Sequence, residues 1–452
     1  MKKLKGANPA GGPTPVSPAP AQARPSEIRG IERAVLANGI RVVSERMPHV
    51  RSVSLGIWIA TGSRRESEKE SGLSHFLEHM VFKGTRHRSA EEIAKSIDSI
   101  GGGLDAFTGK ELVSYNTKVL DEHVPIAFDV LSDLVLNPVF REDDLEREKK
   151  VILEEIKMEL DSPEYTVHEL LCNSFFKGHG LGRSIIGTQK NVRSFTRKML
   201  VDYYKRVYEP SNILITAAGN LEHRQILALA ESYFGGLKPV KKAMVEGPPA
   251  PKNPIVLRSK DSLEQVQVYV AAPSIPISHP DRFTCYVLNT ILGGGVSSRL
   301  FQNIRERQGL AYAVSSELIS YRDAGMMAVY AATSQATALK LIRSVGAELH
   351  NLRTELVPVD ELRRAKDHLK GSLMLSLEST SSRMHNLARQ ELFFGRYVSL
   401  DEMLESVEAV TAEQVRELAR TFFQPKSMAV AMLGPLKGVK VTRADLTPSV
   451  AG

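Results

Sequence analysis

Two histidines and a glutamate lie close together in the stretch Ser74 to Thr85, which reads SHFLEHMVFKGT. His75 and His79 are four residues apart, so on a helix both imidazoles leave one face and can reach one metal ion. Glu78 borders that face, where a carboxylate can take a proton from a water molecule. The spacing predicts a catalytic metal site; the alternative is an amphipathic helix with ordinary hydrogen-bonded histidines.

Two imidazoles leave such a site incomplete, because a catalytic zinc ion usually takes three protein ligands and a water molecule. The acidic stretch from Arg141 to Glu164 is the best place to look for the third ligand. Glu148 and Glu155 fall on its apolar helical stripe, and so does Glu159, whereas spacing directs Glu154 to solvent. Spacing alone leaves the three inward carboxylates open. For most acids in this stretch the alternative is a solvated helix face.

The elements that must position these residues occur twice in the chain. Residues 195–221 and 410–436 align without a gap at an offset of 215, each as a helix capped by Thr, a proline and a β-rich run. Residues 143–150 similarly match residues 360–367. These repeats predict an α+β fold of two homologous domains, each a mostly antiparallel sheet packed with long helices. The histidine-bearing stretch corresponds to residues 286–300, which contain neither His nor Glu, so we expect one site.

The boundaries of these domains follow from composition. Residues 1–29 are rich in Pro and Ala and lack the apolar block of a secretory signal, so we expect a disordered tail. Residues 30–238 form the first predicted domain, with the metal site, and residues 254–440 form the second. The Pro- and Lys-rich residues 239–253 are the predicted linker, and residues 441–452 a second tail. Ser71 or Ser74 is expected to cap the histidine helix.

The composition excludes several classes of protein. With 42% hydrophobic and 25% charged residues, the chain of 452 residues is neither disordered nor fibrous. It contains no apolar run of about 18 residues, so we expect no membrane span. The net charge of +7 is spread over mixed-sign segments, which argues against nucleic acid as a partner. Cys172 and Cys285 are too few for a disulfide framework, which favours reduced, buried thiols and a cytoplasmic location.

Three stretches together resemble the M16 metallopeptidases, a family with an inverted zinc motif. They are HFLEHMVFKGT, the downstream ILEEIKMELD and the later GGGVSSRLFQNIRERQGLAYAV. The resemblance covers nearly the whole chain after residue 30 and is closest to the short bacterial, processing-peptidase-like branch. In the family the third ligand lies about 76 residues past the second histidine, which selects Glu155 over Glu159. The resemblance implies one zinc ion per chain on His75, His79 and Glu155, with Glu78 as general base and Glu148 as supporting acid.

The resemblance also implies where substrate binds. Arg305 and Tyr312 have the spacing of a family pair that holds substrate and polarises the scissile carbonyl; without the resemblance both would be ordinary residues. Asp105, Ala106 and Phe107 lie in the segment resembling the family's edge strand, to which peptide adds as a further strand. The alternative there is a Gly-rich turn that leads into a strand.

These residues predict a zinc endopeptidase that hydrolyses unfolded peptides or small proteins inside a chamber. The family pairs chains of this size, so we expect a homodimer, or a heterodimer with a related chain, in which Arg305 and Tyr312 complete the partner's site. Two alternatives are a processing peptidase for leader peptides and a non-catalytic structural subunit.

Overall fold

The computed structural model describes residues 30–238 and 247–447. The predicted tail 1–29, residues 239–246 of the predicted linker and residues 448–452 of the second tail lie outside the described residues. Residues Arg443–Leu446 form a 3-10 helix, and Leu446 is buried, so the first part of that second tail is packed against the protein. The proposed domain boundaries stay predictions.

The first sheet has six strands and presents one free edge near the histidine stretch. Its strands are β1 (Ile31–Val35), β2 (Arg41–Arg46), β3 (Ser52–Ile59), β4 (Gly103–Thr108), β5 (Val113–Leu120) and β6 (Ile213–Gly219). Their order is β1-β2-β6-β3-β5-β4, and only the β2–β6 pair is parallel. Strand β4 is therefore an edge strand, paired on one side with β5.

The second sheet repeats this order. Its strands are β7 (Ile255–Ser259), β8 (Val266–Ser274), β9 (Val314–Ser320), β10 (Gly325–Thr333) and β11 (Ala429–Gly434). The order is β7-β11-β8-β10-β9, with β7–β11 as the only parallel pair in it. Strand for strand this matches β2-β6-β3-β5-β4, so the predicted α+β fold with two similar, mostly antiparallel halves is confirmed.

Helices cover both sheets. Those between β3 and β7 are α1 (Leu73–Val81), α2 (Ala90–Asp98), α3 (Val124–Leu136), α4 (Glu142–Asp161), α5 (Pro163–Phe175), α6 (Gln189–Ser194), α7 (Arg197–Val207) and α8 (His223–Phe234). Those after β8 are α9 (Arg282–Gly293), α10 (Ala338–Thr354), α11 (Val359–Ser376), α12 (Thr380–Arg389), α13 (Leu400–Glu408) and α14 (Ala412–Phe422). Two π-helices span Phe301–Arg307 and Gln390–Phe394, and shorter 3-10 turns are Ser63–Arg65, Glu68–Glu70, Asp121–His123, Gly180–Gly182 and Pro210–Asn212.

The aligned segments use the same local chemistry in both halves. Thr196 and Thr411 cap α7 and α14, each accepting a hydrogen bond from the backbone N–H three residues later. Gly219 and Gly434, at the ends of β6 and β11, have φ values of +141° and +147°, which residues with a Cβ rarely adopt. The repeat seen in the sequence thus preserves the residues that fix the backbone.

One helix from each half crosses to the other half's sheet. Helix α5 buries Val167, Leu171 and Phe175 against the second sheet, whose facing residues include Ala271 and Ala431. Helix α12 packs on the first sheet in the corresponding way, through Met384, Leu387 and Ala388 against Trp58 and Leu214. Each sheet therefore needs a helix from the other half to bury its second face.

The sequence also predicted buried, reduced cysteines and no membrane span. Cys172 and Cys285 are both free and buried, as predicted. Across the described ranges no helix has the length and apolar content needed to cross a membrane. The cytoplasmic location stays a prediction.

Candidate metal centre

Helix α1 carries both histidines and is anchored by burial. Its apolar residues pack into the core of the first half, and His75 is itself buried, at 8% exposure of the whole residue. Gly72, the residue immediately before the helix, has a φ of +98°. The buried apolar residues of α1 are Leu73, Phe76, Leu77, Met80 and Val81.

The predicted serine cap of α1 is wrong. No side chain at the helix boundary caps it; instead Glu66, six residues earlier, accepts hydrogen bonds from the backbone N–H groups of Gly72 (2.8 Å) and Ser74 (2.6 Å). Burial raises the pKa of Glu66 to about 7, against these hydrogen bonds. A buried carboxyl group thus fixes the start of the helix, and nothing in local spacing pointed to it.

His75, His79 and Glu155 converge. One ligand atom from each lies within 4.8 Å of the others, and this is the one such group in residues 30–238 and 247–447. His75 Nε2 is 3.5 Å from Glu155 Oε1, and His79 Nε2 is 3.6 Å from Glu155 Oε2. Glu155 Oε2 is buried and accepts no hydrogen bond from the residues that the structure describes. A buried carboxylate oxygen without a donor, facing two imidazoles, fits a bound cation.

Glu148 lies behind His79 on the same face of α4. Its Oε2 is 3.2 Å from His79 Nδ1, and its Oε1 accepts a hydrogen bond from Lys83 at 2.8 Å. Burial opposes ionisation of Glu148, but these two partners hold its pKa below the ordinary value. With Nδ1 donating to Glu148, the lone pair of His79 Nε2 points towards Glu155.

Glu154 and Glu159 lie on the sides of α4 that the helical spacing predicted, Glu154 towards solvent and Glu159 partly inward. Glu154 is exposed and pairs with Lys157 at 2.6 Å. Glu159 is half-buried but does not join the histidine group. A hydrogen bond from His75 lowers the pKa of Glu155, although burial opposes the shift.

Glu78 faces the edge strand of the first sheet. Its Oε2 accepts a hydrogen bond of 2.5 Å from Thr108 Oγ1, the last residue of β4. Thr108 was not singled out in the sequence, because a hydroxyl at the end of a strand carries no pattern. Asp105 and Phe107 are exposed on β4 and alternate with the half-buried Ala106. The candidate base and the open strand edge therefore lie side by side.

Arg305 and Tyr312 meet each other in the second half. Arg305 lies in the π-helix Phe301–Arg307, and its guanidinium stacks over the rings of Phe301 (4.7 Å) and Tyr312 (4.6 Å). It also pairs with Glu306 at 3.5 Å. Tyr312 is 77% exposed. Within the described part of the chain, no hydrogen bond or ion pair joins either residue to the histidine group.

Comparison with known proteins identifies the family. Residues 41–189 match the family described as insulinase (peptidase family M16), and residues 194–369 match the peptidase M16 inactive domain. An uncharacterized zinc protease of Bacillus subtilis is 41% identical over 90% of this chain and 98% of its own length. The chain belongs to peptidase family M16. The boundary between the two matched domains separates the histidine group from Arg305 and Tyr312.

Further relatives extend over nearly the whole M16 chain. An uncharacterized zinc protease of Mycobacterium leprae is 37% identical over 94% of this chain and 96% of its own length. Among solved structures, a protease from Helicobacter pylori has a TM-score of 0.83 at 21% identity, covering 90% of this chain and 99% of that one. That structure shares the fold of this M16 chain.

Proposed function

We propose that this M16 chain is a zinc-dependent endopeptidase that cleaves unfolded peptides held as an added β-strand. The observation that carries the proposal is the convergence of His75, His79 and Glu155, with a buried Glu155 oxygen that lacks a donor. The relatives named zinc proteases support the same metal.

The three side chains would hold one zinc ion per chain. Two imidazole nitrogens and one carboxylate are a usual donor set for catalytic zinc and leave a further position open. When bound, Zn²⁺ supplies Lewis acidity towards a water molecule and a peptide carbonyl. Glu148 would keep His79 in the tautomer that presents Nε2, through its contact with Nδ1.

Glu78 would move the protons of the reaction. Its carboxylate lies beside the histidine helix face and is held by Thr108, so it can accept the proton of the attacking water. It would then deliver that proton to the leaving amine. The hydrogen bond from Thr108 would keep the acceptor oxygen at the edge strand, where the scissile bond has to lie.

Strand β4 would bind the substrate backbone. Its outer edge is the end of the sheet, so the backbone groups of Asp105, Ala106 and Phe107 can pair with an extended peptide. Backbone pairing tolerates many sequences, while side-chain pockets select among them. This supports a peptidase of unfolded chains.

Arg305 and Tyr312 would act on the zinc site of a second chain. Their stacked guanidinium and exposed phenol are two hydrogen-bond donors suited to a developing oxyanion. Within the described residues they form no hydrogen bond or ion pair with the histidine group of their own chain. We therefore propose a homodimer, or a heterodimer with a related chain, that encloses a chamber.

The test is cleavage of an unstructured peptide library by the zinc-loaded chain, with and without a chelator. Glu78→Gln should bind zinc but lose about 10²- to 10⁴-fold in kcat. Glu154→Gln, a matched change at an exposed position on α4, should retain full activity. A zinc-loaded chain that cleaves nothing would support a non-catalytic subunit, and cleavage restricted to leader-like sequences would support a processing enzyme.

A further inference from the structure

A cavity of about 450 Å³ lies in the second half, away from the histidine group. It is bounded by α9, the end of α11, α12 and the π-helix Gln390–Phe394. Its size falls in the range of pockets that bind small molecules or the end of a peptide. The wall is mainly apolar and aromatic, and includes Phe283, Tyr286, Leu377 and Met403.

The cavity is cationic. Arg282 and Arg389 line it, and no aspartate or glutamate is among its described lining residues. The Arg282 guanidinium lies over the rings of Phe283 (4.5 Å) and Phe394 (5.2 Å), and its hydrogen bond goes to a backbone carbonyl at 3.4 Å. Arg389 donates to the hydroxyl of Tyr286 at 2.9 Å. Neither arginine forms an ion pair within the described ranges.

Arg396, a neighbouring arginine, differs from Arg282 and Arg389 because it has an acidic partner. Arg396 is held by Glu402 through two hydrogen bonds of 2.6 and 3.1 Å, so the nearby carboxylate is already engaged. Burial lowers the pKa of Arg282 and outweighs the more distant attraction of Glu402, which forms its ion pair with Arg396. Two cations on an apolar wall, without acids, fit a ligand that has an anionic end and an apolar body.

His385 connects this cavity to the edge strand. It lines the cavity, and its ring stacks on Phe107 of β4 at 6.1 Å with an interplanar angle of 15°. Phe107 precedes Thr108, whose hydroxyl binds Glu78. A peptide that pairs with β4 therefore runs past Phe107, which contacts His385 in the wall of the cavity.

We propose that the cavity binds the C-terminal carboxylate and the apolar last side chain of a peptide that extends from β4. The carboxylate would pair with Arg282 and Arg389, and the side chain would contact the aromatic wall. This anchor rests on the proposed function, in which β4 receives the substrate. It would favour substrates with a free C-terminus near the cleavage point.

The test compares two short unstructured peptides of one sequence, ending in leucine as the free acid or as the amide. Binding is measured by fluorescence anisotropy on the Glu78→Gln chain, so that turnover does not interfere. The acid should bind about tenfold more tightly than the amide. The double variant Arg282→Gln/Arg389→Gln should bind both alike. The double variant Arg363→Gln/Arg420→Gln removes the same charge at exposed positions and should keep the preference.

Two further measurements keep the outcomes distinct. Arg389 is exposed, so Arg389→Gln alone leaves the packing intact and should still lower the preference for the acid. Decanoate, a free fatty acid, serves as a second labelled probe, and the two peptides are tested as its competitors. Equal binding of acid and amide by the Glu78→Gln chain would overturn the anchor. If decanoate binds and neither peptide displaces it, the cavity binds a lipid anion instead of a peptide end. Cleavage by the unsubstituted chain is scored separately, so loss of the anchor leaves the peptidase proposal intact.

Discussion

The two halves of the chain share a strand order but differ in every residue of the histidine group. Helix α9 stands where α1 stands in the first half and has neither His nor Glu. At the offset of 217 residues that aligns α4 with α11, Glu148 corresponds to Ala365 and Glu155 to Ser372. The second half has therefore kept the scaffold and lacks the candidate metal ligands.

What the halves retain in common is what the backbone requires. A Cβ at Gly219 would lie 2.2 Å from the Ser52 carbonyl oxygen, and one at Gly434 would lie 2.6 Å from the Gln265 carbonyl oxygen. Both halves therefore have a glycine at this position, whereas only the first half has the candidate metal ligands. The fold persists in the second half without the site, so the chemistry depends on the residues of the site and not on the fold.

The second half still supports the first. Arg64, in the turn before α1, bonds Asp323 of the second half through both terminal nitrogens, at 2.7 and 2.6 Å, and bonds Glu111 at 2.6 Å. The Arg64 side chain is 6% exposed, so this ion pair is buried. This ion pair joins the segment that leads into the histidine helix to the second half.

The largest expected effect comes from removing the third proposed ligand. Glu155→Gln should lower kcat/KM by about a thousandfold or more, because an amide oxygen is a weak zinc ligand. Glu159→Gln on the same helix and Ser372→Ala at the equivalent position of the second half should leave activity unchanged. Steady-state peptide cleavage measures all three. Comparable losses for Glu155→Gln and Glu159→Gln would break the assignment.

The next effect tests whether the second half acts across a dimer. Tyr312→Phe keeps the ring but loses the donor, so kcat should fall about 10²-fold or more. The loss is measured in the same peptide assay. Mixing this variant with Glu78→Gln should restore part of the activity, because a mixed dimer contains one site with both groups. Two inactive variants that stay inactive after subunit exchange would contradict the pairing.

A third prediction concerns the buried carboxyl group at the start of α1. The pKa of Glu66 is raised to about 7 in the fold from an ordinary 4.5, so between these values the unfolded chain binds fewer protons. The free energy of unfolding should therefore fall by about 3 kcal/mol as pH rises from about 4.5 to about 7. Urea unfolding of the parent chain and of Glu66→Gln, with chelator present, measures the difference.

The control for this prediction is at the start of the equivalent helix. Asp281 begins α9, is exposed and makes no capping hydrogen bond, so Asp281→Asn should not alter the pH dependence. If Glu66→Gln changes stability by the same amount at every pH, the carboxyl group is not the source of the dependence.

The smallest expected effect tests whether the equivalent helices α7 and α14 are stabilised alike in the two halves. Thr196→Ala and Thr411→Ala remove equivalent caps, so each should cost about 1 kcal/mol of stability. Chemical denaturation reports both, with Thr354→Ala near the end of α10 as an exposed control. A cost in one half alone would show that the aligned helices are not equivalent.

Periodicity predicted the parts of the site that depend on one helix at a time. It placed His75 and His79 on one face of α1 and directed Glu148 and Glu155 inward on α4, where the structure has them. It could not choose Glu155 over Glu159, because both follow the same stripe and only the position of α1 against α4 separates them.

Contacts between segments far apart in sequence were not predictable. Thr108 reaches Glu78 from β4, and Lys83 reaches Glu148 from beyond the end of α1. Glu66 is close to α1 in sequence, but its contact with the start of the helix follows no capping pattern. The exchange of α5 and α12 between the sheets was missed for a related reason. An apolar helix face shows that something covers it but does not say which sheet does.

The most direct test of the proposed zinc site is the zinc content of the purified chain, measured by elemental mass spectrometry. We expect one zinc ion per chain in the parent protein, in Glu78→Gln and in Ser372→Ala, and loss of that zinc in Glu155→Gln. Full zinc in Glu155→Gln, or a parent chain that binds no zinc when zinc is supplied, would contradict the assignment of the site to the first half.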